Sequence, residues 1–203
     1  LGSAIWGENS SIIENSGTLN ITTEGTGIHA LNSDITNNST GTIDVASGTN
    51  IYAVNSKIKN HAILTNSKGT AIYSDNSAIE NYSTVNAILG SAILGENNSI
   101  IENSGTLNSS TIGIISSVSE VLNIGIINSD EIGIQLLNNK KSINSGEIHS
   151  KTGVSINSGT EKYSGHFYND GTISGTDYSI KFDDGDSVLE LGNGSKITGN
   201  IDG

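Results

Sequence analysis

The sequence predicts an all-β chain wound as a right-handed parallel β-helix, a solenoid with three short strands per coil of about 21 residues and roughly nine coils. Three observations point there. The phrase GSAIWGENSSIIENSGTLN, Gly2 to Asn20, returns almost unchanged as GSAILGENNSIIENSGTLN, Gly90 to Asn108. Gly-x-x-Ile recurs at Gly2 to Ile5, Gly25 to Ile28, Gly48 to Ile51, Gly69 to Ile72 and Gly90 to Ile93, a period of about 20 to 25 residues that marks a stacked array. Isoleucine, threonine, serine, asparagine and glycine dominate, which suits strands and tight turns and not the Ala, Leu, Glu, Lys and Arg runs of helical repeats. The Leu-x-x-Leu-x-Leu phrase of leucine-rich repeats never occurs.

The first strand of each coil is set by Gly-x-x-Ile. The second is set by Ile-x-Asn, at Ile13 to Asn15, Ile35 to Asn37, Ile58 to Asn60, Ile79 to Asn81 and Ile101 to Asn103. Four residues past most of these asparagines comes a third apolar site, at Leu19, Val85, Leu107, Ile127, Ile148 and Ile173, often preceded by Gly-Thr. Coils stacked ~4.7 to 4.9 Å apart would align these side chains into internal columns and give a rod a little over ~40 Å long. Identical asparagines at that spacing can donate and accept along the axis. The expected ladder therefore runs on through Asn123, Asn144 and Asn169, and each asparagine is expected to tolerate the left-handed backbone of a coil corner. Absence of proline agrees, because inner strands pair on both sides and each needs its N–H. The pattern loosens between Ser109 and Glu131 and between Thr160 and His166, where protruding loops are expected.

Only 33% of the residues are apolar, but they are periodic, so the chain is not read as disordered. The net charge is −12 and all nine basic residues are lysine, which argues against a nucleic-acid partner. Apolar runs are far shorter than the roughly 20 residues a bilayer span needs. No cysteine is present to form a disulfide or a thiolate metal site. Residues 1–203 are read as one β-helical unit. Because Leu1 is not a start residue, and because both ends fall within the array, the unit is expected to be cut from a longer chain at both ends.

The recurrent NSGTL phrases, NDGTISG from Asn169 to Gly175 and YSIKFDDGDSVLELGNGSKITGNIDG from Tyr178 to Gly203 resemble the passenger domains of autotransporters. The likeness spans essentially the whole chain. It implies a β-helical passenger of a Gram-negative bacterium, carried across the outer membrane by its own C-terminal β-barrel translocator and displayed on the cell surface. The closing GS-x-I-x-G-x-I-x-G phrase, Gly194 to Gly203, looks like the stretch before that barrel. Such passengers include adhesins, toxins and proteases, so the likeness bears on architecture more than on activity.

Catalytic constellations are hard to assemble from these residues. A β-helical lyase needs calcium-binding carboxylates beside a strong base, commonly arginine, and the chain has no arginine. A hydrolase needs paired carboxylates ~5 to 9.5 Å apart, and the one acidic cluster, Asp183, Asp184 and Asp186, reads as a glycine-containing solvated turn. His29, His61, His149 and His166 fall at different coil positions and suggest neither a metal pair nor a triad. No cofactor or metal is expected. One surface feature stands out: Trp6, His29, Tyr52, Tyr73 and Leu94 each follow directly on a Gly-x-x-Ile, where period-two alternation turns them outward. Stacked coil on coil, Trp6, His29, Tyr52 and Tyr73 would form an exposed aromatic ribbon able to pack on a sugar ring or anchor a protein interface. The expectation is a non-enzymatic surface adhesin that attaches to a host-cell receptor or glycan, or a stalk that presents a distal head. A polysaccharide-degrading β-helix enzyme is the alternative.

Overall fold

A computed structural model describes residues 2–139, 141–158 and 165–203, and of Asp184 the backbone alone. They form one right-handed parallel β-helix of about nine turns with no helix. All strand pairings are parallel, and partners lie one coil apart. Three faces result, each with its own inward column.

The first face carries Ile5, Ile28, Ile51, Ile72, Ile93, Ile114, Ile134, Val154, Ile180 and Ile201 in register. The second is a nine-stranded sheet whose inward column reads Ile13, Ile35, Ile58, Ile79, Ile101, Val121, Ser142, Phe167 and Leu189. The third carries Leu19, Ile43, Leu64, Val85, Leu107, Ile127, Ile148, Ile173 and Ile197. Away from the two ends these side chains are shielded from water, and together they make one continuous core. Each coil thus buries a few aliphatic groups that neighbours above and below must complete, so stability resides in the stacking.

The asparagine column follows the second face. Asn15, Asn37, Asn60, Asn81, Asn103, Asn123 and Asn144 each donate from Nδ2 to Oδ1 of the next asparagine, at 2.8 to 2.9 Å, and Asn169 ends the series by donating to Ser195 Oγ. Their backbone is not left-handed, contrary to the reading from sequence. The left-handed residues form a different column, at the corner between first and second faces: Asn32, Asn55, Asn76, Asn97, Val118 and Asn138, with φ between 46° and 53°. Directly after that corner runs a serine ladder. The backbone N–H groups of Ser33, Ser56, Ser77 and Ser99 donate to the hydroxyls of Ser56, Ser77, Ser99 and Ser119, and each of those four hydroxyls donates to a carbonyl two or three residues upstream.

Strand lengths and loops differ from the expectation. The third and first faces are not everywhere separate short strands: Thr18–Leu31, Thr42–Val54, Glu147–Asn157 and Thr172–Asp184 each run through the corner unbroken, which joins both faces into one 14-stranded sheet. Residues 109–131 do not protrude either. Ile112–Ser117, Glu120–Asn123 and Ile126–Ser129 are ordinary coil strands. What changes there is the glycine. In the early coils it precedes isoleucine by three residues, and at Gly48 and Gly69 the backbone has φ of 116° and 131° with the site of a Cβ only 2.1 and 2.3 Å from the carbonyl oxygen of the glycine below. In the later coils glycine stands immediately before the isoleucine, at Gly113 and Gly133, where a Cβ would meet Ile127 or Ile148 of the third face at 2.4 or 2.3 Å. The motif moved while the coil stayed. Of the expected loop at 160–166, residues 160–164 lie outside the described residues, and Gly165–Asn169 is a second-face strand.

Candidate functional site

The outward column of the first face pairs Trp6 with His29, His29 with Tyr52, Tyr52 with Tyr73 and Tyr73 with Leu94, one coil per step. Ring centroids lie 4.1 Å apart for Trp6 and His29, 4.6 Å for His29 and Tyr52, and 4.5 Å for Tyr52 and Tyr73. The first contact is tilted, the second edge-on and the third stacked at 10° between planes. Both edge-to-face and offset-stacked arrangements are favourable for rings at these separations. The four residues singled out from sequence therefore come together as one ribbon. The ribbon is less open than alternation alone suggested: Trp6 is 55% exposed, while His29, Tyr52 and Tyr73 are half-buried because each ring covers its neighbour.

Below Tyr73 the column turns aliphatic and then polar, through Leu94, Ile115 and Gln135. Along one flank run the hydroxyls of Ser3, Thr26 and Thr49, in register with one another. Along the other run Glu8, Leu31, Val54, Asp75 and Glu96. Tyr73 Oη donates to Glu96 Oε2 at 2.7 Å. Burial, reinforced by that bond, holds the Tyr73 phenol far above its ordinary range. Burial also holds the imidazolium pKa of His29 below its usual value, so the ring favours the neutral form. A ribbon of neutral rings between a hydroxyl row and an aliphatic and acidic row can stack on an apolar face and accept or donate hydrogen bonds at its margins.

Several other titratable groups are tied to local partners. His149 Nε2 lies 3.1 Å from Glu147 Oε2, and His166 Nε2 lies 3.1 Å from Glu190 Oε2. Asp183 accepts from Ser155 Oγ and from Lys181 Nζ. Burial pushes the Asp183 carboxyl up, but these two donors outweigh it and the net shift is downward. Among the described residues no three His, Asp or Glu side chains converge as a metal site would require.

A ring contact outside the ribbon escaped the sequence reading: His61 stacks on Tyr82 at 4.8 Å and 4°. Both residues directly follow a ladder asparagine, Asn60 and Asn81, so the signal was present one position beyond the motif. Glu80 links this pair to the lysines, accepting from Tyr82 Oη at 2.9 Å and lying 2.5 Å from Lys57 Nζ. The Lys57 bond, aided by Tyr82, holds the Glu80 carboxyl below its ordinary range against the opposing effect of burial. No protein-family model matches the chain, and neither a curated protein nor a solved structure does.

Proposed function

We propose that this chain is a non-enzymatic adhesive segment of an autotransporter passenger, displayed on a bacterial surface and holding a host-cell receptor or glycan against its aromatic ribbon. The observation that carries the reading is the uninterrupted contact of Trp6, His29, Tyr52 and Tyr73 on one outward column. The rings stand outside the aliphatic core, on a surface where Trp and Tyr are characteristic anchors of recognition. The passenger assignment rests on the NSGTL, NDGTISG and closing glycine phrases together with the repeated coil. It brings with it a C-terminal β-barrel translocator beyond this segment and an address on the outer surface. A stalk role, with binding at a distal head, is the neighbouring possibility that the same test separates.

The test is a binding screen of residues 1–203 against immobilised glycans and host-cell surfaces, with turnover of acidic polysaccharides followed in the same samples. Saturable attachment without turnover is the expected result. Attachment seen only when further passenger sequence is added would make this segment a stalk, and steady product release from polysaccharide would make it an enzyme.

A further inference from the structure

We propose that a groove on the third face is a second binding site, for a linear uncharged polysaccharide lying along the rod axis. It is separate from the aromatic ribbon and shares no residue with it. Its floor is the outward column Thr65, Asn86, Asn108, Asn128 and His149, aligned coil by coil. Asn108 Nδ2 donates to Asn86 Oδ1 at 2.9 Å, and Asn128 Nδ2 donates to Asn108 Oδ1 at 3.0 Å. An amide offers two N–H donors and two carbonyl lone pairs. The ladder uses one of each at Asn108, so the floor asparagines keep donor and acceptor capacity for a ligand. A low wall runs along the segments leading to the first face, with Ile88, Ser110, Asp130 and Lys151, and the open trough beside it offers about 940 Å³. Ser110 Oγ is buried and has no hydrogen-bond partner among the described residues.

The shape selects an extended ligand. Five floor residues make four coil steps, ~19 Å at the usual strand spacing, which a compact metabolite would not span. The period then separates two kinds of chain. Like-facing groups of an extended polypeptide recur every second residue, ~6.6 to 6.8 Å, which falls out of step with coils ~4.7 to 4.9 Å apart. A pyranose ring is about as long as one coil step, so successive sugars can meet successive amides. Nor can a peptide add to a strand edge here, because the strands under the floor are paired on both sides.

Charge narrows the class further. The chain carries −12 overall, Asp130 and Asp177 line the groove, and Lys151 is engaged by Glu131 at 3.5 Å. An anionic polysaccharide would meet repulsion with no arginine to offset it. Ile88, 53% exposed, supplies an apolar patch suited to the C–H face of a sugar.

The experiment is calorimetric titration of residues 1–203 with linear uncharged oligosaccharides of two to about six sugars, beside a sulfated polysaccharide and an extended neutral peptide. Affinity should rise with sugar number and level off once the floor is covered. Asn108→Leu with Asn128→Leu should weaken binding roughly tenfold, since several modest hydrogen bonds are lost together. If the double variant does not fold by circular dichroism, the single exposed Asn128→Leu takes its place, with a loss of roughly threefold. Trp6→Ala combined with Tyr52→Ala and Tyr73→Ala should leave this binding intact, so failure of the ribbon and failure of the groove give different results. The proposal is overturned if no uncharged oligosaccharide binds, if the folded ladder variants bind unchanged, if the peptide or the sulfated polymer binds more tightly, or if only the ribbon variant loses binding.

Discussion

At the residue scale, each polar column solves a different problem of the same coil. The Asn15 to Asn169 series satisfies buried amides along the axis, while Asn32, Asn55, Asn76, Asn97 and Asn138 supply the left-handed turn. Asn81→Leu removes the middle of the first series. It leaves the Asn60 Nδ2–H and the Asn103 Oδ1 without partners in a dry interior, and should cost about 2 to 4 kcal/mol by denaturant unfolding. Val118 occupies the second series with φ of 52°, a conformation in which a β-branched residue is strained. Val118→Asn should therefore raise stability by about 1 kcal/mol, seen as a higher unfolding midpoint. His29 gives a pH signature. Burial depresses its folded-state value below the ordinary 6.5, so its neutral form belongs to the fold. That contribution is complete above 6.5 and is lost as pH falls from there through the lower folded value. The thermal midpoint of the native chain should drop between neutral and mildly acid pH by more than that of His29→Phe. The ladder, the ribbon and the apolar columns were legible because each keeps one residue type at one coil position. The separation of the two asparagine roles was not, since sequence shows that asparagine recurs and not which φ it adopts.

At the scale of the strand and the coil, the second face shows how the array absorbs an exception. Its aliphatic column is interrupted at Ser142, and the next coil brings Phe167, the largest of the fully buried side chains. Asn139 turns inward beside them, donating from Nδ2 to Ser142 Oγ at 2.9 Å and to Ser116 Oγ at 3.0 Å, while its Oδ1 accepts from the Ser119 N–H at 3.4 Å. Restoring the motif would harm the protein. Ser142→Ile should crowd Phe167 and strand one amide N–H of Asn139, lowering stability by about 2 to 4 kcal/mol in chemical denaturation although the column becomes more regular. The same logic explains why residues 109–131 read as a loop. Gly-x-x-Ile marks only the earlier coils; the later coils keep their strands and carry glycine at Gly113 and Gly133, where packing against Ile127 and Ile148 demands it. A motif keyed to one corner cannot register a change of corner.

At the scale of the whole molecule, stacking converts single substitutions on the surface into stripes. One position per coil, repeated, yields both the ribbon of rings on the first face and the amide floor on the third. Neither is a pocket in a globular sense; both are linear surfaces whose reach is set by the number of coils that share a residue type. The ribbon ends where Leu94 replaces an aromatic residue, and the floor ladder ends where His149 follows Asn128. A net charge of −12 repels polyanions at low ionic strength, which is the reason the proposed ligands are uncharged. The most direct measurement is attachment to host cells of residues 1–203 carrying Asn108→Leu and Asn128→Leu in the third-face groove, compared with the same protein carrying Trp6→Ala, Tyr52→Ala and Tyr73→Ala in addition. Attachment should fall by at least about tenfold while the sheet spectrum in circular dichroism is unchanged, as expected when hot-spot rings are removed from an outward column. Equal attachment by the folded variant would contradict the adhesive role of the ribbon.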